Sequence, residues 1–310
     1  MKTTMKAVRV HEFGGVENIV LDDIPIPVPA ENQVLIEVKA AGVGNWDALA
    51  RSGKIPQPLP LTLGAEFSGI VEKIGPGVSA FAPGDEVFGL TNGLFTGGYA
   101  EHAVVQADTI AKKPHGNTFI EAASVPVVAV TAHKMLFEHG NVKADQLVLV
   151  HGGAGNVGAY IVQLAHRARA RVIATACGDD MDYVRGLGAD QIINYRNERF
   201  EDIASGVDAV MDTAGGDVQE RSLKVLKRGG VLVSSVSPPD KEKAAEYGVT
   251  TDYFIVPITS DDLKSIAVLL DAKELTTQVG IVLPLSKARK AHEMLAGTIP
   301  HPRGKIVLQP

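Results

Sequence analysis

The chain has 310 residues, of which 45% are hydrophobic and 21% are charged, and its formal net charge is -6. This composition is typical of a globular protein with two domains or one large α/β domain. The acidic balance lacks the basic footprint that nucleic-acid binding requires. The single cysteine, Cys177, excludes an intrachain disulfide and a zinc cluster of several thiolates.

Neither membrane insertion nor export is indicated. No run approaches the roughly 18 apolar residues of a membrane span. The N-terminal residues also lack the apolar segment of a secretory signal. We therefore expect a cytoplasmic protein with no membrane partner.

The first hundred residues are rich in short strands and turns. Residues 33–43, QVLIEVKAAGV, alternate as a strand does, and 68–78 predict a strand that ends in a Gly-Pro-Gly turn. Shorter strands are indicated at 83–90 and 97–105. This pattern predicts a β-rich first domain over residues 1–118.

From residue 119 to residue 262, helices and apolar strands alternate. Residues 119–140 predict one or two buried helices. Strands are then predicted at 146–152, 171–176, 191–195, 207–214 and 230–236, with helices at 157–168, 181–188 and 218–226. Such alternation predicts an α/β domain with a doubly wound parallel sheet. The pattern changes again after about residue 262, and residues 263–310 are expected to complete the first domain.

A glycine-rich loop lies between the first strand of this series and the helix that follows. In Gly153-x-Gly155-x-x-Gly158, the glycines permit a tight turn, a close approach of backbone to a pyrophosphate and close helix packing. The helix start presents N–H groups to the phosphates. The loop therefore predicts a dinucleotide site, with a ligand-free glycine turn as the alternative. The loop residues expected at the cofactor are Gly153, Ala154, Gly155, Asn156, Val157 and Gly158.

The choice of dinucleotide depends on the ends of the next two strands. An NAD site usually has an acid at the end of the second strand, but Cys177 stands there, and Asp179 and Asp180 come two residues late. The missing acid favours a 2′-phosphate, which the two aspartates would repel. Tyr195 and Arg196, after the third strand, could offer a hydroxyl and a cation instead. We expect NADPH, with NADH as the alternative, and place Cys177 and Tyr195 at the cofactor.

Motifs along the whole chain resemble the medium-chain dehydrogenase/reductase superfamily and, within it, its zinc-free, zeta-crystallin-like quinone oxidoreductase branch. The segments that carry the resemblance are MKAVRVHEFGGVENIVLDDIPIPVP, VLIEVKAAGVGNWD, LGAEFSGIVEKIGPGVSAFAPGDEVFG, GGYAEHAVV, AASVPVVAVTAHKML, VLVHGGAGNVGAYIVQLA, VRGLGADQIINYR and GKIVL. The resemblance implies a β-rich, GroES-like catalytic domain built from both chain ends and a Rossmann cofactor domain between them. It also implies a homodimer.

The same resemblance bears on metal binding. Zinc-dependent relatives carry Cys at the position of Gly44 and His at that of Ala65, followed by an acid that Glu66 matches. Their third ligand falls near Val127. A catalytic zinc needs about three protein ligands, and only Glu66 has a donor side chain here. We therefore expect no metal site.

Departures from the branch lie in GVGNWD and after the first Rossmann helix. Members often carry Asn at the position of Gly44, so Asn45 could supply a displaced amide beside a bulkier Trp46. Asp47 matches the usual acid of the branch. We expect Asn45 and Asp47 to be the catalytic residues, although Asp47 as a turn-capping carboxylate is an equal alternative. Arg169 replaces a usual glycine and must avoid a positive φ or be strained into one.

Further cofactor contacts are expected on other elements. Thr131, Phe254 and Val256 match segments that lie near the nicotinamide in relatives, and Ser235 and Val236 stand at the end of a strand. For Tyr99, His133 and Glu66, packing or a structural hydrogen bond is favoured over catalysis.

The expected chemistry follows from the missing metal. Without a Lewis acid to polarise a carbonyl, the acceptor must carry its own activation, as quinones and α,β-unsaturated carbonyls do. We expect NAD(P)H-dependent hydride transfer to a quinone or a related activated carbonyl, with a proton from water or a polar side chain. The alternatives are an enone or alkenal double-bond reductase and a cofactor-binding protein with little turnover.

Overall fold

The computed structural model describes residues 3–55 and 57–310, which form two compact units. One unit is the chain up to Val127 together with Ile258–Pro310, and the other is Val128–Pro257. Sequence patterning placed the boundaries at 118/119 and 262/263. Residues 119–127 lie in the first unit, where the Ser68 hydroxyl donates to the Phe119 carbonyl. The catalytic role of the first domain and the cofactor-binding role of the second stay predictions.

The described strands are β1 Thr4–Val10, β2 Ile19–Pro25, β3 Gln33–Val43, β4 Leu61–Thr62, β5 Glu66–Ile74, β6 Glu86–Leu90, β7 His102–Gln106, β8 Ile110–Lys112, β9 Leu147–His151, β10 Arg171–Ala176, β11 Gln191–Asn194, β12 Val207–Asp212, β13 Leu226–Ser234, β14 Thr250–Tyr253, β15 Val279–Pro284 and β16 Lys305–Gln309. The described α-helices are α1 Asn45–Arg51, α2 Phe119–Ala123, α3 Pro126–Lys134, α4 Gly158–Arg167, α5 Asp180–Gly186, α6 Asp217–Ser222, α7 Lys241–Glu246, α8 Ser260–Asp271 and α9 Ala288–Leu295. None of these helices has both the length and the apolar character needed to cross a bilayer.

The first unit is built around β3, whose residues are mostly buried. In its main sheet the order is β15-β16-β3-β5-β6-β8, and β7 also pairs with β3. The register sets Gly42 opposite Glu66 on β5 and Val43 opposite Ile306 on β16. Because Lys305 directly precedes Ile306, the end of β3 brings one acid and one cation from distant parts of the sequence together.

The second unit is a parallel sheet in the order β11-β10-β9-β12-β13-β14. Val148, Leu149 and Val150 of the central β9 are fully buried, as expected for a strand that is covered on both faces. The chain leaves β9 first toward β10 and later toward β12, so the connections reverse direction there. A ligand site is expected outside the carboxyl ends of the strands at such a point. The predicted doubly wound parallel sheet is confirmed.

Some predicted elements have different bounds in the structure. The helix predicted at 218–226 covers only Asp217–Ser222, and the strand predicted at 230–236 begins at Leu226 and ends at Ser234. The reason is pairing, since Leu226 lies opposite Val207 on β12 and joins the sheet there. Patterning predicted one or two helices over 119–140. The structure has α2 and α3, which continues as a π-helical turn over Met135–His139.

Arg169 lies just after α4 and has a φ of 60°. Its amide donates to the His166 carbonyl at 2.9 Å, and its own carbonyl accepts from the Asp145 amide at 2.9 Å. These bonds close the helix with a left-handed residue, a position at which glycine avoids the Cβ penalty. Of the two outcomes open to this exposed arginine, the structure has the strained one.

We expect Arg169→Gly to raise the free energy of unfolding by about 0.5–1 kcal/mol. Relief of the left-handed strain outweighs the added chain entropy of glycine in the unfolded state. Denaturant unfolding of both proteins measures the difference. In the control, Ala245→Gly within α7, glycine replaces a helical residue and should destabilise by about 1 kcal/mol. Equal losses in both variants would contradict the strain argument.

Candidate functional site

The glycine loop connects β9 to α4 at the carboxyl edge of the parallel sheet. A Cβ on Gly158 would lie 2.1 Å from the Gly152 carbonyl oxygen, and one on Gly153 would lie 2.9 Å from the Ala174 Cβ. A Cβ on Gly155 would lie 3.2 Å from the same carbonyl oxygen of Gly152. The loop therefore packs closely on itself and on β10, and the contacts at Gly153 and Gly158 require glycine.

Hydrogen bonds hold this loop against β10. The Gly152 amide donates to the Thr175 hydroxyl and the Gly153 amide to the Thr175 carbonyl, both at 3.0 Å. Gly155 and Asn156 at the tip are exposed. A rigid backbone with an exposed tip at the start of the ten-residue helix α4 fits a pyrophosphate. Ala154 and Val157, also predicted at the cofactor, lie half-buried in the same loop.

Cys177 and Tyr195 directly follow the adjacent strands β10 and β11. The Cys177 thiol and the Tyr195 hydroxyl share a hydrogen bond of 3.0 Å, and Tyr195 is 57% exposed. This bond is the main cause of a raised pKa for Tyr195, which a hydrogen bond from the Arg196 side chain opposes. Sequence reasoning placed these groups near one another only by strand order. The structure joins the thiol, the hydroxyl and the guanidinium in one cluster.

Asp212, at the end of β12, organises the next two loops and was missed by sequence reasoning. Its Oδ1 accepts from the amides of Ala214 and Gly215 at 2.9 and 2.8 Å. Its Oδ2 accepts from the Ser234 hydroxyl at 2.8 Å. The Ser234 oxygen accepts in turn from the Val236 amide at 3.1 Å. In the sequence, the available signal was an aspartate at the end of an apolar strand.

The other predicted cofactor residues of this unit lie on three elements. Ser235 and Val236 follow β13, half-buried and exposed respectively. Phe254 follows β14, and its ring stacks on His139 with centroids 3.8 Å apart. Val256 is buried two residues later, and Thr131 is buried within α3. Whether these residues contact the cofactor stays a prediction.

Asp47 is the centre of a polar cluster in the first unit. It lies in the first turn of α1 and is 1% exposed. Its Oδ2 accepts from the Gly44 amide and from the Tyr99 hydroxyl, both at 2.9 Å. Oδ1 is buried and has no hydrogen-bond partner among the described residues. Asn45, the first residue of α1, is exposed.

The geometry of Asp47 is compatible with both predicted roles, a helix-capping carboxylate and a catalytic acid. The bond from Gly44 caps the start of α1, as the structural reading requires. Burial raises the pKa of Asp47 from 3.8 to about 6, against the opposing effects of the Gly44 and Tyr99 bonds and the charge of Lys305. A buried carboxyl that titrates near neutrality is also a group that can hold and release a proton.

Tyr99 contributes more than packing. It is fully buried, and burial together with Asp47 raises the pKa of its hydroxyl well above 10. The phenol therefore stays a hydrogen-bond donor to Asp47. Its ring depends on the LGAEFSG segment, because a Cβ on Gly64 would lie 2.4 Å from the ring.

Glu66 forms a buried ion pair with Lys305 through its Oε1. Its Oε2 accepts from the Val127 amide at 2.8 Å. Gly42 makes room for it, since a Cβ there would lie 2.8 Å from Oε1. The favoured structural role for Glu66 is consistent with these bonds. Lys305 was missed, although a lysine in the apolar strand GKIVL was a visible signal.

Among the residues that the structure describes, no metal-binding cluster surrounds this acid. Gly44, Ala65 and Val127 carry no donor side chain, and both oxygens of Glu66 are engaged by protein groups. Within residues 3–55 and 57–310, no group of three or more His, Cys, Asp or Glu could hold a metal ion.

This two-domain architecture is similar to that of known dehydrogenases and oxidoreductases. The alcohol dehydrogenase GroES-like domain matches residues 30–115, and the zinc-binding dehydrogenase family matches residues 187–308. The quinone oxidoreductase of Sus scrofa is 33% identical over 97% of this chain and 95% of its own length. The chloroplastic NADPH-dependent alkenal/one oxidoreductase of Arabidopsis thaliana is 32% identical over 99% of this chain and 80% of its own length.

A solved structure is also similar over nearly the whole chain. The Escherichia coli quinone oxidoreductase complexed with NADPH is 29% identical, with a TM-score of 0.90 over 98% of this chain and 100% of that one. The GroES-like match and the doubly wound sheet with its glycine loop define the class, the medium-chain dehydrogenase/reductases. The chain belongs to the zeta-crystallin-like quinone oxidoreductase family of that superfamily, as its motifs predicted.

The raised pKa of Asp47 has a consequence for stability. Between about pH 4 and 6 the folded protein holds a proton that the unfolded chain has released, so stability is lost as the pH rises through this window. The loss is at most about 3 kcal/mol. We expect Asp47→Asn to lack this pH-dependent loss. The free energy of unfolding of the variant, relative to that of the parent, should therefore rise by up to about 3 kcal/mol from pH 4 to pH 7.5.

Urea unfolding of both proteins at the two pH values measures this change. The exposed Asp182→Asn variant is the control and should differ from the parent equally at both. A difference between Asp47→Asn and the parent that does not depend on pH would show that the carboxyl is ionised throughout.

Proposed function

We propose that the protein is a zinc-independent, NADPH-dependent oxidoreductase that transfers hydride to a quinone or a related activated carbonyl. The observation that carries the proposal is the buried Glu66–Lys305 ion pair, which occupies the one acid left at the position of the zinc site. With that acid neutralised by a lysine, the acceptor must delocalise the electrons by itself. Quinones and enones do so, and simple ketones do not.

The residues at the carboxyl edge of the parallel sheet fit the cofactor. Gly153–Gly158 would hold the pyrophosphate, and Tyr195 with Arg196 would hold a 2′-phosphate. Cys177 would border the adenosine ribose, while Thr131, Ser235, Val236, Phe254 and Val256 would line the nicotinamide half. When bound, the nicotinamide supplies the hydride. The network of Asp212 keeps the neighbouring loops in one conformation, so less ordering is needed on binding.

Asn45 and Asp47 would serve the acceptor. Reduction of a quinone leaves a phenolate oxygen that needs a proton. Asp47, with a pKa of about 6, holds a proton in part of the molecules near neutral pH, and the Tyr99 hydroxyl orients it. Asn45, exposed at the start of α1, offers an amide to the oxygen of the acceptor.

Two further properties belong to the proposal. The protein acts in the cytoplasm, in keeping with a net charge of -6 and one cysteine. It forms a homodimer through β14, the edge strand of the parallel sheet, where Tyr253 at the end of the strand and Ile255 just after it are 37% and 58% exposed. An edge strand with exposed apolar residues is a ready pairing surface.

The second candidate is an enone or alkenal double-bond reductase. The similarity to the Arabidopsis alkenal/one oxidoreductase favours it, and it would use the same cofactor residues with a different acceptor. A cofactor-binding protein with little turnover is a third reading, and a buried acid that titrates near neutrality speaks against it.

Initial rates of NADPH and NADH oxidation, with EDTA present, test the function. We expect turnover with 1,4-benzoquinone and 9,10-phenanthrenequinone, because both delocalise the added electrons, and EDTA should change no rate. Parallel assays with a simple enone and a simple ketone serve as comparisons. Activity confined to the enone would favour the second candidate, inhibition by EDTA would overturn zinc independence, and tight cofactor binding without turnover would favour the third.

The preference for NADPH is expected to depend on Arg196. Arg196→Gln should raise the KM for NADPH about tenfold, the loss of one charged hydrogen bond to phosphate, and leave the KM for NADH unchanged. Steady-state kinetics with each cofactor measure both values. Arg199→Gln, three residues away and also exposed, is the matched control and should change neither. A parent enzyme that prefers NADH would refute the phosphate site.

A further inference from the structure

Besides Asp47, the polar cluster in the first unit contains a buried ion pair between Lys305 and Glu66. Lys305 is 3% exposed and pairs with Glu66, which is 2% exposed. A Cβ placed on Gly44 would lie 3.4 Å from the Lys305 Nζ and 3.9 Å from the Asp47 Oδ2. The ammonium and the Asp47 carboxylate therefore border the same space beside Gly44.

We propose that Lys305, held by Glu66, is a positioning residue that controls the ionisation of Asp47. The two charges of the ion pair act on the Asp47 carboxyl in opposite directions. The ammonium favours the carboxylate and Glu66 disfavours it. Glu66 also fixes the ammonium, because its other oxygen is tied to the Val127 backbone. The role in turnover rests on the proposed function, but the electrostatic coupling can be measured without turnover.

The surroundings of Asp47 limit the other contributions. From the elements packed on it, the titratable groups that act on the carboxyl are Tyr99, Lys305 and Glu66. On its own helix, Arg51 lies one turn further along and bonds to the Gly14 carbonyl. Inside a protein, opposite charges a few ångströms apart lower a carboxyl pKa by about 1–3 units. A buried ammonium is therefore strong enough to decide whether this acid is charged at neutral pH.

Trp46 provides a readout that is independent of activity. It is the chain's only tryptophan and the direct neighbour of Asp47. Its ring packs on Phe95 with centroids 4.7 Å apart. Its fluorescence, excited at wavelengths that tyrosine does not absorb, should titrate with a step near pH 6 in the full-length parent protein. Asp47→Asn should abolish the step, which assigns it.

Variants of the ion pair then test the coupling. In Glu66→Gln the ammonium remains without its counter-charge, so the step should move to lower pH. Adding Lys305→Met to that variant removes the ammonium, and the step should move back up. Each shift should be at least about half a pH unit, a threefold change in the ratio of charged to neutral Asp47. The double variant should also fold well, because it leaves neither charge buried alone.

Two controls separate coupling from a structural effect. Lys305→Arg, in the otherwise unchanged protein, keeps the positive charge, so its fluorescence step should lie at the same pH as in the parent. Glu220→Gln and Lys243→Met remove an exposed ion pair of the second unit and should leave the step in place. If Glu66→Gln fails to fold, the double variant is compared with the parent, and its step should lie at higher pH because the ammonium that borders the same space as the Asp47 carboxylate is gone.

A step at the same pH in Glu66→Gln and in the double variant would overturn the inference. If the shifts occur, the pH profile of kcat/KM should follow them in the active enzyme. Shifts in fluorescence without any turnover would support the electrostatic coupling and refute the proposed function. Turnover whose pH profile ignores the shifts would overturn the role of Lys305 in the reaction.

Discussion

The pairing register of β3 determines the polar centre of the first unit. β3 lies between β5 and β16, and its last residues face Glu66 on one side and Ile306 on the other. A shift of one residue would turn every side chain of a strand to the opposite face. The ion pair of Glu66 with Lys305 would then be lost. The register also fixes Gly44, and with it the start of α1 and the position of Asp47.

Close backbone approach plays the corresponding part in the second unit. The glycine loop touches itself and β10 at distances that no side chain would permit. The carboxyl ends of the parallel strands then deliver Cys177, Tyr195, Asp212 and Ser234 to one edge. Two small hydrogen-bond networks, one around Asp212 and one around Cys177, hold these groups in place. Groups that are already fixed lose less conformational entropy when a ligand binds than groups that must be ordered on binding.

The acid at the start of α1 shows how one residue serves structure and chemistry together. Asp47 caps the helix by accepting a hydrogen bond from the Gly44 amide. The burial of this carboxyl also raises its pKa, because burial disfavours the charged form. Tyr99 and Lys305 offset part of this cost. In zinc-dependent relatives a metal would supply the positive charge in this region. Here the positive charge beside Gly44 is that of a lysine.

The sequence determined the fold class, the glycine loop and the family, because these depend on local periodicity and on spacings within one segment. It also identified Asp47 and the absence of donors at Gly44 and Ala65. It did not reveal the ion pair of Lys305 with Glu66, the bond between Asp212 and Ser234 or the hydrogen bond of Tyr99, since each joins residues far apart in the chain. Local patterning was equally unable to decide whether Arg169 would be strained or to place the start of β13. Those outcomes depend on hydrogen bonds and strand pairing, which only the tertiary structure brings about.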